Sequence, residues 1–159
     1  MNEYRENCYK IDDLLATYGY VLDKKEFEGW VSLFAEEAAY NVFSMDNVER
    51  GLPLAYMMDD NKKRILDRVK VIEDVWAGTV EPYRTRHTIQ RNMVMDLGSG
   101  LYEVHSNFVI AYTEASGVAG IIAMGHYEDM VQITGLSALF VSKTAFIDNT
   151  PPRYLVYPL

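Results

Sequence analysis

One segment places a histidine, able to do acid–base chemistry, beside an arginine on an otherwise apolar face. Between Arg86 and Leu97, alternate residues share a face. His87 and Arg91 then point the same way as Ile89, Met93, Met95 and Leu97, against Arg86, Thr88, Gln90, Asn92 and Asp96. An imidazole inside a sheet's concave face can serve as acid or base, its pKa set by its surroundings. Asp23, expected at a helix N-terminus, could orient it. The plainer alternative is that the strand outruns the helices, so that His87 and Arg91 leave the core at its open end. Both readings stand at this level.

The remaining candidates are weaker. His126 and Glu128 alternate within Gly125-His126-Tyr127-Glu128-Asp129 and share a strand face. That resembles part of a two-His, one-carboxylate iron site, but the third ligand must come from elsewhere. A solvated or interfacial strand face is the plainer reading of the pair and is preferred. His105 falls on the polar side of its strand with Glu103 and Asn107. Cys8 has no nearby His to activate a thiolate. No Gly-rich phosphate loop, Gly-x-Ser-x-Gly elbow or His-Glu-x-x-His occurs. The acid pairs Glu36–Glu37 and Asp59–Asp60 read as helix-end charges, not as two carboxylates across a cleft.

The elements that must position these groups divide the chain in two. Ile11, Leu14, Leu15, Tyr18 and Leu22 make one helical stripe. Asp23 stands three residues before Glu26, a capping-box spacing, ahead of Phe27, Trp30, Val31 and Phe34. Residues 38–44 read as a short strand and 45–53 as a turn-rich segment. The Met/Tyr segment 54–58 reads as core or interface. Asp59 or Asp60 would cap a third helix carrying Ile65, Leu66, Val69, Ile72 and Trp76, closed by Gly78. Strands are predicted over 86–97, 102–113, about 120–133 and 139–148, joined by short Gly-containing turns. Short connections imply antiparallel neighbours. The fold class is α+β: a curved antiparallel sheet packed against about three N-terminal helices, as one domain over residues 1–159.

Composition narrows the function. The chain has 159 residues, 23 acids, 15 bases, three His and one Cys, with net charge −8. One Cys and three scattered His exclude a four-Cys cluster and a Cys/His zinc finger. An acidic chain is a poor partner for nucleic acid. No apolar stretch approaches a membrane span or a signal peptide, so a cytoplasmic location is expected. Twelve Tyr, two Trp and eight Met exceed what a small core needs and suit surfaces covered by a partner. The apolar end, Arg153-Tyr154-Leu155-Val156-Tyr157-Pro158-Leu159, either caps its own core or docks on another subunit.

Several segments in order resemble one family. They are Leu22-Asp23, Trp30-Val31, Leu33-Phe34 and Tyr40; Asp67-Arg68-Val69; Arg84-Thr85-Arg86-His87 with Asn92; Val104 and Ser106-Asn107-Phe108; Gly125–Asp129; Asp148-Asn149; and Pro152-Arg153-Tyr154. Their spacing resembles the small (β) subunit of bacterial aromatic-ring-hydroxylating dioxygenases, nearest the branch for anthranilate, salicylate and terephthalate-type acids. The resemblance implies a nuclear-transport-factor-2-like cone and assembly with a large (α) subunit as α3β3. It further implies that the Rieske 2Fe-2S cluster and the mononuclear Fe(II) lie on the large subunit. Electrons would arrive from NADH through a reductase, sometimes with a ferredoxin. No cofactor or metal is then expected on this chain, whose role would be structural in aromatic-compound catabolism. Arg84, Arg86, His87, Arg91, Arg153, Tyr154 and Tyr157 are the residues expected at subunit boundaries. The same fold also serves polyketide-cyclase-like and scytalone-dehydratase-like enzymes. Under that alternative Asp23 and His87, extended to Tyr40 and His105, would be catalytic: His as base, Asp as its orienter, Tyr as a donor to a carbonyl. A non-enzymatic small-molecule binder is a third reading.

Overall fold

Helix α1 (Glu3–Asp23) starts where the Asn2 side chain accepts the Arg5 amide at 3.0 Å. It begins eight residues before its apolar stripe, and that stripe, Ile11 to Leu22, is buried as expected. The computed structural model describes residues 2–159. Asp23 closes α1 instead of opening α2 (Phe27–Ser32), whose N-terminus carries no side-chain cap. The capping-box expectation fails because the Asp23 carboxylate is taken by groups on a distant strand, described below. Phe34 is likewise not helical. It begins β1 (Phe34–Ser44) and remains fully buried there.

A short helix α3 (Met45–Glu49) replaces part of the expected turn, and β2 (Ala55–Asp59) absorbs the Met/Tyr segment. Met57 and Asp59 face inward while Tyr56 and Met58 are exposed. Helix α4 (Lys62–Lys70) is capped by Asn61, which accepts the Arg64 amide. Asp59 and Asp60 do not cap it. Arg68 grips Asp59 at 2.5 and 3.0 Å, and Asp60 pairs with Arg64. A π turn (Val71–Val75) and a 3₁₀ turn (Trp76–Gly78) continue α4 and bring Ile72 to the core.

The long strands are β3 (Arg84–Gly98), β4 (Leu101–Thr113), β5 (Ala119–Thr134) and β6 (Ser137–Ile147). The sheet order is β2-β1-β6-β5-β4-β3, antiparallel except for the parallel β1–β6 pair. Helix α1 touches both β3, at the edge, and β6, three strands away. Only a curled sheet allows both contacts, so α1 lies in its concave face.

A bulge at Asn92 changes what β3 presents. Arg91 is opposite Ser106 and Met93 opposite His105, leaving Asn92 unpaired. One extra residue reverses the alternation from there on. His87, Ile89 and Arg91 face the helices, but Met93, Met95 and Leu97 face outward and are exposed, contrary to the single-face expectation. Val94 replaces them against the core. Strand β4 shows the expected alternation, with Tyr102, Val104, Phe108 and Ile110 buried.

The core is aromatic. Trp30, Phe34 and Tyr40 meet edge to face at 5.3–6.2 Å, and Tyr127 stacks on Phe108 at 4.3 Å. The final residues close this core from within the same chain. Val156 and Leu159 are buried, and Tyr157 stacks on Phe27 at 6.0 Å. The Leu159 amide donates to the Tyr40 hydroxyl at 2.8 Å, and the Tyr18 hydroxyl donates to the Leu159 carbonyl.

Candidate functional site

The sequence-predicted pair does form. Asp23, at the last turn of α1, meets the start of β3. Its carboxylate accepts the Thr85 hydroxyl at 2.9 Å and the His87 amide at 3.0 Å, and holds His87 Nδ1 at 2.6 Å. The approach is close because Gly19 lies over His87: a Cβ there would stand 3.2 Å from the His87 Cβ. The His87 side chain is 1% exposed, and its Nε2 has no partner among the described residues. Burial alone would raise the Asp23 carboxyl. Hydrogen bonds from the His87 side chain and backbone, the imidazole's charge and the Thr85 hydroxyl outweigh it, and the pKa ends below its ordinary value.

Beside this pair, α1 and β3 enclose a cleft of about 450 Å³ lined by Asp12, Gly19, Tyr20, Asp23, His87 and Arg91, among others. Arg91 is not free in it. Asp12 holds the guanidinium in a fork, Nε to Oδ1 at 2.5 Å and Nη2 to Oδ2 at 3.1 Å. Tyr40 is elsewhere: its hydroxyl is bound by the Leu159 backbone and fully buried, and burial pushes its pKa well up. It is not arranged beside His87 as a donor to a substrate carbonyl.

The Asp23–His87 pair therefore clamps α1 to β3. Asp23→Asn should lower stability by about 1–3 kcal/mol. The sign of its pH dependence is set by the depressed pKa. The carboxylate's contribution is present above the ordinary value near pH 4 and is lost as pH falls through the lower folded value. Thermal melts of wild type and variant should converge in acid and stay apart at neutral pH.

The other expected residues are scattered. Arg84 and Arg86 are exposed on β3. Arg153 is held by Glu114 at 2.5 Å and lies over the Tyr83 ring at 5.2 Å. Tyr154 is 78% exposed, whereas Tyr157 is packed inside its own chain. His105 pairs with Glu103 at 2.7 Å, and His126 approaches Glu128 at 3.6 Å, all on the outer face.

One cluster was missed. Lys143 and Asp129 form a fully buried ion pair at 2.9 Å. The ammonium lies 3.6 Å from the Tyr127 ring centroid, 4.3 Å from Tyr18 and 4.7 Å from Phe140. Burial drives both partners toward neutrality, Asp129 up and Lys143 down, against their mutual attraction. The signal was available: alternation places Lys143 on the face of Ala145 and Ile147, and Asp129 on that of Tyr127.

The donors do not fit an iron centre. Cys8 is single and sits on α1; His87 faces the helices; His105 and His126 face outward. Among the described residues no three His, Cys, Asp or Glu side chains converge as a metal-binding group.

Comparison with known proteins gives the family. The family model for the ring hydroxylating beta subunit matches residues 19–151. The chain belongs to the ring-hydroxylating beta-subunit family. The anthranilate 1,2-dioxygenase small subunit of Burkholderia cepacia is 25% identical over 135 residues, 85% of this chain and 83% of that one. A solved structure described as the beta subunit of an aromatic-ring-hydroxylating dioxygenase of Novosphingobium aromaticivorans superposes with TM-score 0.85. It is 28% identical and 95% of each chain is covered. The benzoate 1,2-dioxygenase beta subunit of Burkholderia mallei is 18% identical, with TM-score 0.75 over 92% of this chain and 94% of that one; it shows the shared fold. The architecture is thus the nuclear-transport-factor-2-like one. As a ring-hydroxylating beta subunit, the chain is the small component of an oxidoreductase whose large subunit is its partner. No helix among the described residues is long and apolar enough to cross a membrane.

Proposed function

We propose that this chain is the structural small subunit of a cytoplasmic α3β3 dioxygenase acting on an aromatic compound. The Rieske 2Fe-2S cluster and the mononuclear Fe(II) reside on the large subunit, and NADH supplies electrons through a reductase, directly or by a ferredoxin. The family match over residues 19–151 carries the reading. Of the alternative catalytic use of Asp23, His87 and Tyr40 only the Asp23–His87 contact forms, and it serves equally as a clamp between α1 and β3, while the Tyr40 hydroxyl is bound to the Leu159 backbone away from His87.

Surface chemistry supports a covered subunit. The sheet's two edge strands, β2 and β3, carry exposed Tyr56 and Met58 on one and Met93, Met95 and Leu97 on the other. Long apolar edges are hazards unless something covers them. Arg84, Arg86, Arg153 and Tyr154 would supply the polar rim at these boundaries. His87, Arg91 and Tyr157 would act from inside, by fixing β3 and the final segment on which the rim sits. Met95→Glu with Leu97→Glu should weaken co-purification with the large subunit at least about tenfold, each charge disfavouring a desolvated contact. The isolated chain should melt within about 1 °C of wild type, because both residues already face solvent. Undiminished co-purification would remove β3 from the interface.

A further inference from the structure

A groove beside the π turn gathers side chains that the subunit role does not use. It encloses about 300 Å³ between the start of α2, the turns after α4 and the final residues. Phe27, Ile72, Trp76, Pro82, Val156 and Tyr157 give it an apolar, largely aromatic wall. Two backbone irregularities border it. One is the π turn Val71–Val75, which carries Ile72 and Glu73. The other is Lys25, whose φ is +58°. Lys25 follows α1 in a Schellman arrangement: its amide donates to the Leu22 carbonyl at 3.0 Å, and the Glu26 amide donates to the Val21 carbonyl at 2.8 Å. Glycine is the usual residue at such a position, because a side chain strains the left-handed backbone. Here the side chain is present, and its ammonium lies 4.5 Å from the centroid of the Tyr157 ring, among the groups that line the groove.

Among the described residues Lys25 forms no ion pair, although the chain carries a net charge of −8. The groove thus combines an apolar wall, rings for stacking and an uncommitted cation. We propose that it binds a small aromatic carboxylate, with the ring among Phe27, Trp76 and Tyr157 and the carboxylate on Lys25. Small-molecule sites start at about this volume and are mostly apolar, with a few polar groups that fix orientation. Aromatic walls favour an aromatic guest through edge-to-face and offset-stacked contacts. The ammonium favours an anion over a neutral compound of the same shape. Glu73 also lines the groove, so a guest with a second carboxylate is disfavoured. The site shares no lining residue with the Asp23–His87 cleft. This inference does not rest on the subunit assignment.

The test is calorimetric titration of the full-length chain with sodium 2-naphthoate and, separately, with 2-naphthalenemethanol and sodium octanoate. One naphthoate per chain is expected, with a Kd of about 10⁻⁴ M. The neutral alcohol and the ringless acid should each bind at least about tenfold more weakly. Lys25→Gly relieves the backbone strain and should melt within about 3 °C of wild type. It should weaken naphthoate at least about tenfold and leave the alcohol unchanged. Lys25→Met keeps the stem without the charge and should do the same. Trp76→Ala, with an unchanged circular dichroism spectrum, should weaken the acid and the alcohol alike. Absence of saturable binding, equal affinity for acid and alcohol, or naphthoate binding that neither Lys25 variant weakens would overturn the site.

Discussion

Lys143→Ala is expected to destabilise the protein by about 3–5 kcal/mol, because it leaves the Asp129 charge buried without its partner. For a chain of this size that is a fall in Tm of roughly 10 °C. The ammonium's three aromatic neighbours are lost at the same time. Desolvation already outweighs the attraction within the pair, raising Asp129 and lowering Lys143. Its removal lets Asp129 rise further. A carboxyl whose folded pKa exceeds its unfolded value favours the folded state most at low pH. The variant should therefore lose stability as pH rises above the ordinary carboxylate range near 4. The double variant Lys143→Met with Asp129→Leu removes both charges and should return within about 1 kcal/mol of wild type, or exceed it. Urea unfolding of the three proteins separates these cases. A single variant no weaker than the double one would show that the pair is not the source of the cost.

Deleting residues 155–159 should have an effect of similar or larger size. Val156 and Leu159 are buried, and Leu155 and Tyr157 pack against the core. At about 1.5–3 kcal/mol for a fully buried large apolar side chain, the lost burial alone amounts to several kcal/mol. The Tyr18 and Tyr40 hydroxyls also lose their Leu159 partners inside the core. Against a net stability of about 5–15 kcal/mol, the shortened chain should be largely unfolded or aggregated when expressed alone. Circular dichroism and gel filtration read the outcome. A folded, monomeric product with wild-type melting would mean that the final segment is an appendage and not part of the core.

What the sequence made legible follows from periodicity. The stripe of α1 follows helical spacing and the long strands follow alternation over most of their length, and the structure has those strands within a few residues of the expected bounds. Asp23 and His87 were paired correctly but for the wrong local reason. The carboxylate closes α1 and does not cap α2, because strand β3 offers it three donors. The faces of Met93, Met95 and Leu97 were misread because a bulge at Asn92 has no composition signal and inverts everything after it. The parallel β1–β6 pairing was also invisible, since its two strands lie about a hundred residues apart and no short turn links them. Lys143 was overlooked for a different reason. A lysine in a strand is ordinarily solvated, and its burial depends on Asp129 arriving from the neighbouring strand.

The central claim is that this chain completes an oxygenase whose chemistry lies on another subunit. It is tested most directly by expressing the large subunit with and without this chain, then measuring assembly size and NADH-dependent hydroxylation of an aromatic acid in the presence of the reductase. The account predicts a stable hetero-oligomer that hydroxylates the ring, no turnover by this chain alone, and a large subunit that is poorly assembled or inactive without it. A large subunit equally soluble, assembled and active in its absence, with this chain remaining monomeric beside it, would contradict the account.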